Sequence, residues 1–240
     1  MILIAKDSFM IHRPYLHQEE LVQRLLGQDY LDLSIQHIQL SESVTHLQDH
    51  DTGTQSPVYH YAVDSLQQPC HLQVTLVQQV RDENQKLTQK SFEISGQGVG
   101  FVDAGYEALM QHYVQEYSSL KTLTFKSFEF KSQLASTQKS GSDAICSVHL
   151  VVENSDKRDF EFEARGRSMA WVSLTAVLLA VEYFINSERA FIAVYHSLKH
   201  AQQRGRADVI QEKTAQLADL VKTTSYTEVI AQIKQEMGWS

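Results

Sequence analysis

Three glycines spaced two apart, Gly96, Gly98 and Gly100, stand directly before a run of apolar residues at helical spacing, GQGVGFVDAGYEALMQHYVQEY. Glycine leaves backbone N–H groups uncovered, and the first turn of the following helix points its own N–H groups at the same spot. The chemistry such a corner supports is capture of an anion such as a carboxylate. The arrangement returns further along, where Gly166-Arg167-Ser168 again follows a strand pattern and opens a helix. Gly98 and Gly166 thus hold equivalent places, and the chain reads as internally duplicated.

Other constellations carry less. Asp103 and Glu107 lie one helical turn apart, the spacing of paired carboxylates in acid/base work, but an acid in a first turn also complements the helix dipole. His196 and His200 could face one metal from a helix, as could His46 with Asp49 and His50, yet neither set has a third ligand fixed by spacing and no metal is expected. GQGVGF has Phe101 where a dinucleotide fingerprint needs its third glycine, so no nucleotide cofactor is expected. Trp171 and Tyr183 on an apolar helix read as core or interface. Arg165/Arg167 and Arg204/Arg206 are short basic spots at a loop and a helix end.

The 240-residue chain carries a formal charge of −8, with charges scattered rather than blocked, which argues against a phosphate-tracking surface and against nucleic acid as a partner. Cys70 and Cys146 are too few for a disulfide framework and lack metal or redox spacing, which fits a reducing compartment. The early apolar run is interrupted by Asp7 and His12 without a small-residue cleavage site, so a cytoplasmic location is expected. The most apolar stretch, Met169 to Val181, falls short of the ~20 residues that span a bilayer and reads as a buried helix.

The elements that must position these residues follow from periodicity. A helix is predicted from His17 to Leu26, ended by Gly27, then alternating stretches around Leu31 to Leu40 and Val58 to Val63, with HLQDHDTGTQSP as a loop between them. Strands are predicted through Leu72, Val74 and Leu76, and from Leu87 to Ser95 after a turn at RDENQK. On the helix that follows, Val102, Tyr106, Leu109, Met110, Tyr113, Val114 and Tyr117 share a face. In KTLTFKSFEFKSQL the apolar phase switches between Phe125 and Phe128, which predicts a β-bulge near Lys126 or Ser127. Beyond the loop STQKSGSD, strands from Ala144 to Val152 and through Phe160, Phe162 and Ala164 lead to Ser168 as the N-cap of a helix to about Asn186. Two more helices are predicted, Ala190 to about Arg204 and Asp208 to about Met237 with a break near Thr223 to Thr227.

Gly98-Val99-Gly100-Phe101-Val102-Asp103-Ala104 resembles the G-x-G-P-V-D-A turn of the regulatory domains of α-isopropylmalate and citramalate synthases. GSDAIC is similar to that family's G-x-D-A strand start, and GRSMAWVSLTAVLLA to its second helix start, G-x-S-x-[DN]-I-I-x-A-S-x-x-A. Order and spacing agree over about residues 67 to 187. The resemblance implies two pseudo-symmetric βββα units that pair with a second copy and bind leucine or isoleucine near the dimer interface. It implies effector contacts at Gly98, Gly100, Val102, Asp103, Ala144, Cys146 and Ser168. Phe101 replaces the family's proline at the mouth of that site, and Ala170 its acid or amide. The family's catalytic (β/α)₈ barrel alone takes about 250 residues, so this chain is not expected to be a synthase by itself. Arg81-Asp82-Glu83-Asn84-Gln85 resembles a segment of that barrel but lacks its glycine, and the barrel's HxH metal pair is absent.

The sequence therefore predicts an α+β fold in three parts: an N-terminal extension over residues 1–66 with no assigned role, a duplicated βββα module over 67–189, and a C-terminal helical segment over 190–240. The expected function is that of a non-catalytic homodimer that binds a branched-chain amino acid or a related acid, as a regulator in leucine biosynthesis. The alternative is a dimerisation subunit that docks a barrel-only synthase without binding a ligand.

Overall fold

Alternating apolar residues in the strands and small residues on one helix face together produce two antiparallel sheets with helices laid on them. The computed structural model describes residues 11–12, 16–42, 69–81, 86–132, 145–221 and 235. The elements are β1 (Ile11–His12), α1 (Leu16–Leu26), β2 (Leu33–Glu42), β3 (Cys70–Arg81), β4 (Leu87–Gly98), α2 (Phe101–Tyr113), β5 (Thr124–Ser132), β6 (Cys146–Glu153), β7 (Asp159–Gly166), α3 (Met169–Gln203) and α4 (Ala207–Leu220). One sheet has the order β2-β3-β4, and the other β1-β7-β6-β5. The protein is α+β, and its layout is compatible with the expected repeat. The stretch around Val58 to Val63, the loop HLQDHDTGTQSP, the tip of the RDENQK turn, STQKSGSD and the helix beyond 221 lie outside the described residues.

Each sheet buries one face. Cys70, Leu72, Val74 and Leu76 on β3, and Cys146, Val148, Leu150 and Val152 on β6, are all at most 4% exposed, while the residues between them face outward. The two sets of strands also share a register. In the first, Cys70 lies opposite Gly98, and a bulge falls between Ile35 and His37 where β2 meets Leu76 and Thr75. In the second, Cys146 lies opposite Gly166, and the bulge falls between Phe125 and Ser127 where β5 meets Val152 and Val151, at the position the phase switch predicts. The first sheet reaches back across the expected boundary at residue 67, because its third strand is β2.

α3 differs from the expected pair of helices. It runs unbroken for 35 residues through Asn186-Ser187-Glu188-Arg189, where one helix was expected to end and the next to begin. The reason is that Asn186 and Glu188 in this run are buried and bonded to backbone distant in sequence. Asn186 holds Leu31 at both ends, accepting from its N–H at 2.8 Å and donating to its carbonyl at 2.9 Å. Glu182 accepts from the Leu33 N–H, and Glu188 accepts from the Ser119 N–H at 3.2 Å and from the Ser119 hydroxyl. The main core, with both sheets, α2 and the first half of α3, ends at Ile185; a second cluster begins at Ala190 and joins α3 to Val22 and Leu26 of α1 and to Leu217 and Leu220 of α4. Among the described residues α3 is the one helix long and apolar enough to cross a membrane, and 72% of its most apolar window is buried inside the protein.

Candidate functional site

The corner between β4 and α2 holds four of the predicted site residues. Gly96 and Gly98 lie in β4, opposite Leu72 and Cys70, and not in a turn as the sequence reading had them. They are glycine because α2 lies against them. A Cβ on Gly96 would stand 2.2 Å from the Ala104 carbonyl oxygen, and one on Gly98 would stand 2.5 Å from the Ala104 nitrogen and 2.6 Å from Asp103 Oδ2. Small residues on the helix, Ala104, Gly105 and Ala108, complete this close approach, and a Cβ on Gly105 would meet Leu174 of α3 at 2.2 Å. The backbone N–H groups of these strand glycines are thus part of the sheet and its packing against α2.

Gly100 is different. It is the N-cap of α2, with φ −151° and ψ 172°, has no side chain to cap the helix, and a Cβ there would meet nothing within 4 Å. Asp103, exposed, turns back to accept the Val99 N–H at 3.0 Å. The first N–H groups of α2, at Phe101, Val102 and Asp103, have no intrahelical acceptors, and the space beside Gly100 is open. Phe101 and Val102 are half-buried and pack against the main core.

The equivalent corner between β7 and α3 is closed by its own side chain. Ser168 caps α3 by accepting the Trp171 N–H at 3.4 Å. Cys146, 4% exposed, donates its thiol to the Gly166 carbonyl at 3.2 Å. Ala144 lies outside the described residues. The predicted contacts therefore form two groups, Gly98, Gly100, Val102 and Asp103 at one corner and Cys146 and Ser168 at the other.

Several of the other polar groups singled out by the sequence have structural partners. Glu107 accepts from Gln111 at 3.0 Å, so it and Asp103 serve separate bonds. Arg165 pairs with Glu163 at 2.7 Å and Arg206 with Asp208 at 3.2 Å, the latter pair holding the Asp208 carboxyl below its usual range. Tyr183 packs tilted against Phe160 and edge-to-face against Phe162 and Phe184, which makes it core rather than a ligand box. Burial, reinforced by the neighbouring Glu107, pushes the Tyr106 phenol up to about 12, and burial with the Glu116 hydrogen bond does the same to Tyr117. Both are neutral hydroxyls at physiological pH. His196 and His200 are exposed on α3, His46, Asp49 and His50 lie outside the described residues, and among the described residues no three His, Cys, Asp or Glu side chains are grouped to hold a metal.

Sequence reasoning missed one concavity. A cleft of about 510 Å³ between α1 and the β3–β4 hairpin is lined by Glu20, Arg24, Tyr30, Asp32, Val80 and Leu87 among others. A guanidinium, carboxylates and aliphatic groups around one cleft are the groups that an α-amino acid can engage. They come from two stretches distant in sequence, Glu20 to Asp32 and the ends of β3 and β4, which the pairing of β2 with β3 brings together. Compared with known proteins, the chain matches no family model and no curated protein.

Proposed function

We propose that this chain is a non-catalytic, cytoplasmic, homodimeric regulatory protein that binds a branched-chain amino acid or related acid, in the manner of the synthase effector domains its motifs resemble. The observation that carries this reading is the shared register of the two strand sets, with a cysteine–glycine pair, a bulge and a helix start in matching places. We read these as two βββα units of one duplicated module. The corners differ in their caps, Gly100 in one and Ser168 in the other, so the ligand carboxylate belongs at the uncapped start of α2. Gly100 leaves room for it, Asp103 fixes the preceding peptide, and Val102 offers an aliphatic neighbour. Ala144, Cys146 and Ser168 enter as contacts through the resemblance.

Thermal unfolding against leucine, isoleucine, valine, 2-isopropylmalate and citramalate tests the reading. A ligand at ~100 times its dissociation constant adds about 2.7 kcal/mol, a clear rise in midpoint. The expected result is a selective rise that Gly100→Trp abolishes. A response that survives Gly100→Trp but vanishes in Arg24→Ala moves the ligand to the α1 cleft and ends the corner assignment. No response to any of them favours the docking subunit, with the α1, α3 and α4 cluster as its contact with a barrel-only synthase.

A further inference from the structure

Among the described residues the second sheet ends in a bare strand. β5 has β6 on one side and, among the described residues, no strand on the other. Eight of its nine residues are exposed, whereas β6 beside it alternates between buried and half-buried positions. On the face that α3 covers, Phe128 and Phe130 lie opposite Leu150 and Val148. The two aliphatic residues are fully buried, yet Phe128 and Phe130 are 37% and 40% exposed. α3 lies over β6 and β7, and the two rings extend past its cover. A free edge with an apolar face is a template for another strand.

We propose that β5 is a self-association edge that pairs antiparallel with β5 of a second copy about a two-fold axis at Phe130. The strand's own sequence selects the register. Residues opposite each other in an antiparallel pair share a face, so an axis perpendicular to the sheet must pass through a residue position. An axis at Glu129 or at Lys131 sets like charges opposite each other, which is unfavourable. An axis at Phe128 brings the bulged Lys126 opposite Phe130. Only the axis at Phe130 sets Glu129 opposite the second copy's Lys131 twice over, with Phe130 against its own symmetry mate and Phe128 opposite Ser132. Glu129 and Lys131 already lie 3.1 Å apart within one chain, both more than half exposed, and are free to re-pair across the axis. The pairing rests on the dimeric part of the reading above and is independent of its ligand.

Sedimentation velocity on the full chain at micromolar concentrations tests it. Wild type is expected to run at twice the chain mass. Phe130→Asp is expected to weaken association ~30-fold or more without changing the circular dichroism, because the ring is part-exposed in the single chain. Glu129→Lys is expected to do the same by placing like charges opposite each other, and Glu129→Lys with Lys131→Glu to restore the dimer. Leu40→Asp, on the edge strand β2 of the other sheet and 45% exposed in the wild type, is expected to stay dimeric. Phe130→Asp and Glu129→Lys both remaining dimeric would overturn this interface and leave the dimeric reading standing. A monomeric wild type would overturn both, while the ligand response is read separately from the unfolding midpoint.

Discussion

A methyl group on Gly96 would lie 2.2 Å from the Ala104 oxygen and 2.5 Å from the Ala108 nitrogen, both backbone atoms that cannot rotate away. Gly96→Ala is therefore expected to destabilise the fold by about 3 kcal/mol, the upper part of the range for overpacking, in urea unfolding. Gly100 has open space and an extended backbone, so Gly100→Ser is expected to be neutral or to add about 0.5 kcal/mol by capping α2 as Ser168 caps α3. Equal losses in the two variants would refute this division of roles. The sequence singled out these glycines, but their spacing does not say what occupies the space a side chain would fill. In Gly96 and Gly98 a helix occupies it, and in Gly100 nothing does.

α3 is the element whose end was misread, and the residues responsible explain why. Asn186-Ser187-Glu188-Arg189 looks like a helix terminus because buried polar side chains are rare unless paired. The partners of Asn186 and Glu188, Leu31 and Ser119, are too distant in sequence to be seen in a local pattern. The β5 bulge and the strand alternation, by contrast, are local and were legible, whereas the β2 bulge between Ile35 and His37 was not predicted. Asn186→Leu would leave both Leu31 backbone groups buried without partners, and a loss of about 3 kcal/mol is expected, with faster amide exchange at Leu31. Glu188 behaves differently with pH. Burial raises its carboxyl above the ordinary range, outweighing the two Ser119 bonds that favour the charged form. Its contribution to stability is therefore full below about pH 4.5 and is lost as pH rises through the raised value. Glu188→Gln keeps an acceptor for Ser119 and carries no charge to desolvate. Its stability should accordingly be flatter than that of wild type as pH rises above about 4.5, and an unchanged slope in urea unfolding would rule this out.

At the scale of the whole molecule, the two core clusters are unequal. The smaller has nine buried apolar residues among those described, drawn from α1, the end of α3 and α4. α1 and α4 are 11 and 14 residues long, close to the length at which isolated helices are marginal in water. Neither would persist without the far half of α3, and that half stays in place because Glu182, Asn186 and Glu188 fasten α3 beside the sheets. This dependence runs one way. Leu150→Ala, which opens a cavity under the second sheet, should cost about 2–5 kcal/mol and lower amide protection throughout the chain. Leu217→Ala, fully buried in the smaller cluster, should open only α1, α4 and the end of α3, while β3 and β6 keep their protection. Hydrogen exchange read by mass spectrometry separates these outcomes. Equal loss of protection in β3 and β6 on Leu217→Ala would show a single cooperative unit. Confinement of that loss would mean the helical cluster can loosen or engage a partner without disturbing the α2 corner.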